Sequence, residues 1–299
     1  MTRMPCDPKL LQKLQSAREL PTLPAVLIPL LQYLERPLDS QDVHQIVDLI
    51  AKDESLAARC LQIANSPLFG TTREVESIQS AVVVMGLERI HQIAVSCSFL
   101  KLLPSMKDVS PSVFWAHSLG CALVAREFAG KIGFPDPGKA YAAGLLHDVG
   151  IIALLAVAPE QFATALRLAR SEHIPLHEAE KRELGISHEE AGKIIAGIWR
   201  LPPEIANVIA HHHSPDEASK DHALVSIVGF SDLLCRLNGI GYGYSETQQT
   251  NFAEDPAFIG LASQFARIQP FDLARFTFET EGTLEEVRAV VSQVYGGKH

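Results

Sequence analysis

The chain has 299 residues, 47% of them hydrophobic, enough to bury about three quarters of its unfolded surface in one large core or two modest ones, which excludes a disordered polypeptide. Its 26 basic and 35 acidic residues leave a net charge of −9, which argues against a broad nucleic-acid-binding face and against adsorption to an anionic membrane. Cys6, Cys60, Cys97, Cys121 and Cys235 are scattered with no CxxC pair, and neither a signal-peptide core nor a run of ~18 apolar residues is seen, so the expectation is a reduced, soluble, cytoplasmic protein.

Nearly every periodic segment has the helical repeat and no period-2 alternation stands out, so the expected fold class is all-α. Leu20-Pro21-Thr22-Leu23-Pro24 is a rigid entry to an apolar helix over residues 25–34. Asp39 or Ser40 can cap the next helix, whose stripe Val43, Ile46, Val47, Ile50 follows i, i+3, i+4, i+7. A helix over 54–64 stops at the turn-rich Asn65-Ser66-Pro67-Leu68-Phe69-Gly70, a helix stop that is also a candidate partner-binding feature. Ser77 opens an apolar segment that breaks at Gly86 and resumes as a helix over 87–103. Residues 104–111 are the expected boundary, dividing the chain into an N-terminal helical subdomain, 1–108, and a second subdomain, 109–299.

The second part begins with a helix over 112–129, a loop at 133–138, and a helix carrying His147 and Asp148. Another helix follows over 160–171. Ser187-His188-Glu189-Glu190 is a capping box that places His188 in the first turn of a helix ending near Arg200. Pro203 starts a helix running to His213, and a further one spans 221–237. Residues 239–254 read as a mobile loop; the tail adds a helix over 256–267 and another after the capping box Thr283-Leu284-Glu285-Glu286.

The ionisable residues carry the functional argument. Between Tyr141 and Ala158 only His147 and Asp148 can ionise, and burying either unpartnered would cost several kcal/mol. His117 shares an apolar helical face with Phe114, Cys121, Val124 and Phe128, and Asp232 shares one with Val225, Val228 and Cys235. His212 likewise follows Ile205, Val208 and Ile209. Neutral imidazoles and ionised carboxylates aimed at one core suit Mn, Fe, Mg or Zn, so His117, His147, Asp148 and Asp232 are the expected ligands. His44, His91, His173, His177, His222 and His299 read as surface residues.

The order His117, His147-Asp148, Asp232 resembles the HD superfamily of metal-dependent phosphohydrolases. Leu20-Pro21-Thr22-Leu23-Pro24, Asp53-Glu54-Ser55-Leu56-Ala57, Leu61-Gln62-Ile63-Ala64-Asn65-Ser66 and residues 81–87 resemble the HDOD family, the HD-related output domain of bacterial signalling proteins, over about residues 20–238. Phe114-Trp115, and Leu201-Pro202 with His212-His213 and Pro215, fit the same pattern. The resemblance implies an HD-like helical bundle packed on an N-terminal helical subdomain, acting as a regulatory module with a signalling protein partner. His188, His212 and His213 match the positions at which related HD-GYP phosphodiesterases bind a second metal; the register selects that pair over His211. Ile151 replaces the Lys of those enzymes, Val113 replaces a bridging Glu of some, and Gly241-Tyr242-Gly243-Tyr244 lies after Asp232 and reads as a flexible turn.

The leading expectation is a signalling output module with a divalent-metal site in its HD-like half and no nucleic-acid or membrane partner. The alternative is a metal-dependent phosphohydrolase acting on a nucleotide or cyclic dinucleotide, with Asp148 and His188 as candidate catalytic residues. Phosphate chemistry recruits cations, and near the site the sequence offers Lys193 and Arg200.

Overall fold

The computed structural model describes residues 5–34, 42–66, 74–102, 110–245, 254–268 and 272–296, and among them there is no strand: the protein is all-α. The chain forms two compact units, Met1–Thr22 with Pro104–Asp272, and Leu23–Leu103 with Leu273–His299. The sequence division at 108/109 falls near the crossover at 103/104, and the two chain ends exchange units.

The helices in chain order are α1 (Pro8–Leu14), α2 (Leu27–Leu34), α3 (Val43–Ala51), α4 (Glu54–Ala64), α5 (Ile78–Met85), α6 (Leu87–Leu100), α7 (Pro111–Ile132) and α8 (Pro137–Leu146). They continue with α9 (Val149–Val157), α10 (Pro159–Glu172), α11 (Leu176–Glu183), α12 (His188–Trp199), α13 (Pro203–His211), α14 (His222–Leu237), α15 (Pro256–Gln264) and α16 (Leu273–Tyr295).

In the unit holding α2 to α6, Asp42 caps α3 and Asp53 caps α4, each carboxylate accepting a backbone N–H of the first turn. Ile46, Val47 and Ile50 of the expected stripe are buried, whereas Val43 is exposed. Ser77 and Ser80 form the capping box of α5. The expected cap at Asp39 or Ser40, residues 67–70 of the turn-rich stretch, and most of the 104–111 boundary lie outside the described residues. The last helix packs on α4. It begins at Leu273, so Thr283-Leu284-Glu285-Glu286, expected to open it, lies in its interior.

His91, expected at the surface, is buried in α6, where its Nε2–H donates to the Leu30 carbonyl at 2.6 Å and its ring stacks on Tyr33. Burial pushes its pKa down to about 4, against the hydrogen bond that favours the charged form. Between pH 6.5 and 4 the unfolded chain therefore binds the proton that the folded chain refuses. Stability contributed by neutral His91 is complete above that window and is lost as pH falls through it, on the order of 3 kcal/mol. His91→Gln, whose amide can still donate to Leu30, should show a smaller drop in unfolding free energy across these pH values than the parent; equal drops would exclude this role.

In the other unit α7 packs on α8 and α14, and α9 on α12. Pro137 begins α8, with the Asp136 carboxylate accepting the Lys139 N–H at 2.9 Å. The segment Pro137–Val157 is long and apolar enough to cross a membrane by composition, but 89% of that window is buried inside the protein, as suits a helix apolar on all sides. His147 and Asp148 do not lie inside one helix as expected: His147 is the C-cap of α8 and Asp148 the N-cap of α9. The Ser187–Glu190 capping box starts α12 as expected, and α11 was not expected at all. The stretch expected to be a mobile loop is instead anchored where it is described, with Ile240 and Tyr242 buried.

Candidate metal centre

Helix ends build most of the site. Asp148 sits at the α8–α9 junction, His188 opens α12, and His212 is the C-cap of α13 with His213 next in the chain. His117 and Asp232 come from the interiors of α7 and α14, on the apolar faces described above. Two close approaches bring these pieces together. A Cβ on Gly150 would overlap the His188 carbonyl, and one on Gly229 would overlap the His212 carbonyl, so hydrogen is the only side chain that fits at either place.

His117, His147, Asp148, His188, His212, His213 and Asp232 are thereby gathered in one place, all buried except the half-buried His213. His211 stays outside, half-exposed. His117 Nε2 lies 3.3 Å from Asp148 Oδ2 and 3.2 Å from Asp232 Oδ1, and His147 Nε2 lies 3.1 Å from Asp148 Oδ2. On the other side, His188 Nε2 and His212 Nε2 lie 3.3 and 3.4 Å from Asp148 Oδ1, and His213 Nε2 is 3.1 Å from His188 Nε2. The Asp148 carboxylate thus faces one histidine group with each oxygen.

The outer atoms fix the imidazoles. His117 Nδ1 donates to the Ile240 carbonyl and His147 Nδ1 to the Gly144 carbonyl, both at 2.7 Å, because a carbonyl can only accept. That leaves each Nε2 aimed inward, and neither Nε2 finds a hydrogen bond of good geometry despite its neighbouring carboxylate. These two Nε2 atoms, 3.1–3.3 Å from carboxylate oxygens to which they do not hydrogen-bond, match ligands spaced around an ion with bonds of about 2.0–2.1 Å. His188 Nδ1 is held at 2.7 Å by Glu180 Oε2, which also accepts the His188 backbone N–H at 2.7 Å. This buried carboxylate behind a histidine is the usual support of a metal-ligating imidazole. A hollow of about 10 Å³, the size of one water or ion, adjoins Asp148, Asp232, His188, His213 and Tyr242.

Charge follows this arrangement. Burial disfavours the charged form of His117, yet the carboxylates of Asp148 and Asp232 outweigh it and hold the imidazole well above its usual range. Burial likewise opposes charge on His188, but Glu180 and Asp148 raise it to about 9. Asp148 is held well below the carboxylate range, burial being overcome by the histidines around it. Burial pushes His213 well down.

Sequence reasoning missed Glu180, Arg236, Tyr242 and His177. Arg236, one turn after Asp232, places its Nε 3.1 Å from both Asp232 oxygens and lines a cavity of about 200 Å³ with His177 and His213. His177, expected at the surface, is half-buried and stacks on His213 at 4.3 Å. Arg236 is thus a cation at the site. Lys193 and Arg200 are exposed, and Arg200 stands about 18 Å along α12 from His188. Spacing could have found Arg236, because i, i+4 pairs share a helix face.

A helical bundle with imidazoles and carboxylates converging from separate helices defines the class: an HD-like domain with a metal-capable centre. The pattern of the HDOD domain matches residues 20–215, and the chain belongs to that family. An HDOD domain protein from Geobacter sulfurreducens is similar in structure with a TM-score of 0.82 at 29% identity, covering 96% of this chain and 99% of that one. A candidate phosphohydrolase from Shewanella amazonensis SB2B shares the fold with a TM-score of 0.70 at 22% identity, covering 96% and 98% of the two chains. An uncharacterized protein from Treponema pallidum (strain Nichols) is 27% identical over 220 residues, which are 73% of this chain and 42% of that protein, so this chain spans less than half of that relative's length.

Proposed function

We propose that this HDOD chain is an output module of bacterial signal transduction whose HD-like unit is organised on a bound divalent metal, Fe, Mn, Mg or Zn. The observation that carries the reading is the pair of buried Nε2 atoms of His117 and His147, each fixed from behind by a carbonyl and each lacking a hydrogen bond at the front. His117, His147, Asp148 and Asp232 would hold one ion, and His188 and His212, facing the other Asp148 oxygen, would hold a second together with the adjoining His213. The partner is a signalling protein in the cytoplasm; a net charge of −9 disfavours nucleic acid and anionic membrane.

A module is favoured over an enzyme because the centre is enclosed: Asp148 is buried beneath Tyr242, whose hydroxyl donates to it, and Ile151 leaves no Lys beside it. The observation that favours the alternative, a phosphohydrolase acting on a nucleotide or cyclic dinucleotide, is the cavity beside His213. There Arg236 would hold a phosphoryl anion, and a bound ion would supply Lewis acidity. Elemental analysis of protein purified without added metal, together with an assay of cyclic-di-GMP hydrolysis, separates the readings. Near-stoichiometric metal without turnover is expected. Robust metal-dependent turnover lost in Asp232→Asn would make the chain a phosphohydrolase, and a metal-free protein that no added ion stabilises would remove both readings.

A further inference from the structure

On the metal-centre reading above, we propose that His177 is the entry ligand of the centre: it takes a divalent ion in the cavity beside Arg236 and hands it to His213, which passes it to the buried histidines. His177 itself stands outside the group His188, His212 and His213, whose ligand atoms lie within 4.8 Å of one another, and it is not a ligand of the loaded site.

Of the proposed ligands, His117, His147, Asp148, His188, His212 and Asp232 have side chains at most 3% exposed, whereas that of His213 is 12% exposed. Unless the unit unfolds, an ion therefore reaches the centre past His213. Two spaces meet there: the hollow of about 10 Å³ beside Asp148 and Asp232, and the outer cavity of about 200 Å³. Pro175, His177, His213 and Arg236 line both of them. Among these only the two imidazoles offer a side-chain lone pair, because a guanidinium only donates and the proline ring nitrogen is an amide.

The rings already stand in a row. His177 stacks on His213 with centroids 4.3 Å apart and planes at 30°, His213 packs on His212 at 4.2 Å, and His213 Nε2 is 3.1 Å from His188 Nε2. His177 Nδ1 is buried and has no hydrogen-bond partner among the described residues. A ring placed there only for its apolar surface would be better as phenylalanine, which leaves no polar atom unsatisfied. The position of His177 is fixed by α11, where Glu180, three residues on and on the same face, holds His188 from behind. Arg236 alone would repel a cation at this entrance, but its Nε lies 3.1 Å from both Asp232 oxygens and the Asp255 carboxylate lines the outer cavity, so two acids offset it.

The test uses the full chain stripped of metal and mixed with Zn²⁺. Uptake is followed with a zinc-responsive dye, release by adding excess chelator, and final content by elemental analysis. His177→Phe keeps a flat ring and removes the nitrogens. It should slow uptake about tenfold, the factor that about 1.4 kcal/mol of lost transient binding makes in a rate. Release should slow by the same factor, because a group absent from the loaded site acts on the barrier from both sides, so affinity and zinc content stay parental. His177→Ala should also load slowly. Parental rates in His177→Phe would make the ring a bystander, and faster uptake in His177→Ala would make it a plug; either result overturns the entry ligand while the parent still loads. Weaker affinity with unchanged uptake overturns it too, by making His177 part of the loaded site. A parent that retains neither Zn²⁺ nor another divalent ion removes the centre and its entry ligand together.

Discussion

Asp148→Asn is expected to abolish metal retention and to lower the thermal midpoint of the protein by roughly 10 °C, the largest effect of any single change at the site. The Asp148 carboxylate faces His117 and His147 with one oxygen and His188 and His212 with the other, at 3.1–3.4 Å, whereas Asp232 reaches His117 at 3.2 Å but the second group only through His213 at 3.6 Å. Asparagine keeps the size and removes the charge. In the metal-free protein the change leaves His117 and His188 with less anionic compensation in a buried setting, where breaking one side of an ion pair costs about 3–5 kcal/mol. In the metal-loaded protein it also removes the linkage contribution, about 2.7 kcal/mol when free metal is a hundredfold above its dissociation constant. Calorimetry of parent and variant, each with and without chelator, separates these contributions. The parent should lose stability on chelation and the variant should not respond. A parent that ignores chelation would show that metal does not support the fold.

The helical stripes were legible because an amphipathic helix writes its inward face into the sequence. His117 between Phe114 and Cys121, and Asp232 between Val228 and Cys235, had to point at the core, and both do. His147 and Asp148 announced themselves as the only ionisable pair in an apolar run, although their place at a junction between two helices did not show. What escaped notice has a common physical reason: its burial is imposed by partners distant in sequence. Glu180 lies in α11, whose sequence Leu-His-Glu-Ala-Glu-Lys-Arg-Glu reads as solvated, and only the approach of His188 makes that carboxylate a buried acceptor. Tyr242 lies among glycines that read as a flexible turn; its segment is set by Arg170 of α10, His117 of α7 and Ile174 in the α10–α11 connection. The S/T-x-x-E pattern at Ser187 and at Thr283 is the same in sequence, yet the first caps a helix and the second lies within one. The signal is local, and only tertiary packing decides whether a helix has already begun.

Gly150→Ala should disrupt the centre without altering the side chain of any proposed ligand. The added methyl would overlap the His188 carbonyl and approach the Gly192 nitrogen, both of them backbone atoms of α12 that cannot swing away as a side chain can. Helix α9 must then move away from α12, and that movement separates Asp148, two residues before the substitution, from His188 at the first turn of α12. Overpacking of this kind costs about 1–3 kcal/mol. Displacing the supports of metal ligands lowers affinity by about 10- to 100-fold. Gly197→Ala, on the facing helix α12, provides the control: a methyl there meets nothing within 4 Å, and replacing an exposed helical glycine should stabilise by about 0.5–1 kcal/mol. Metal titrations and thermal melts of both variants against the parent give the measurement. Gly150→Ala should bind metal more weakly and melt earlier, with Gly197→Ala at parental affinity and slightly higher midpoint. Parental affinity and midpoint in Gly150→Ala would mean that the close approach of α9 to α12 does not set the geometry of the centre.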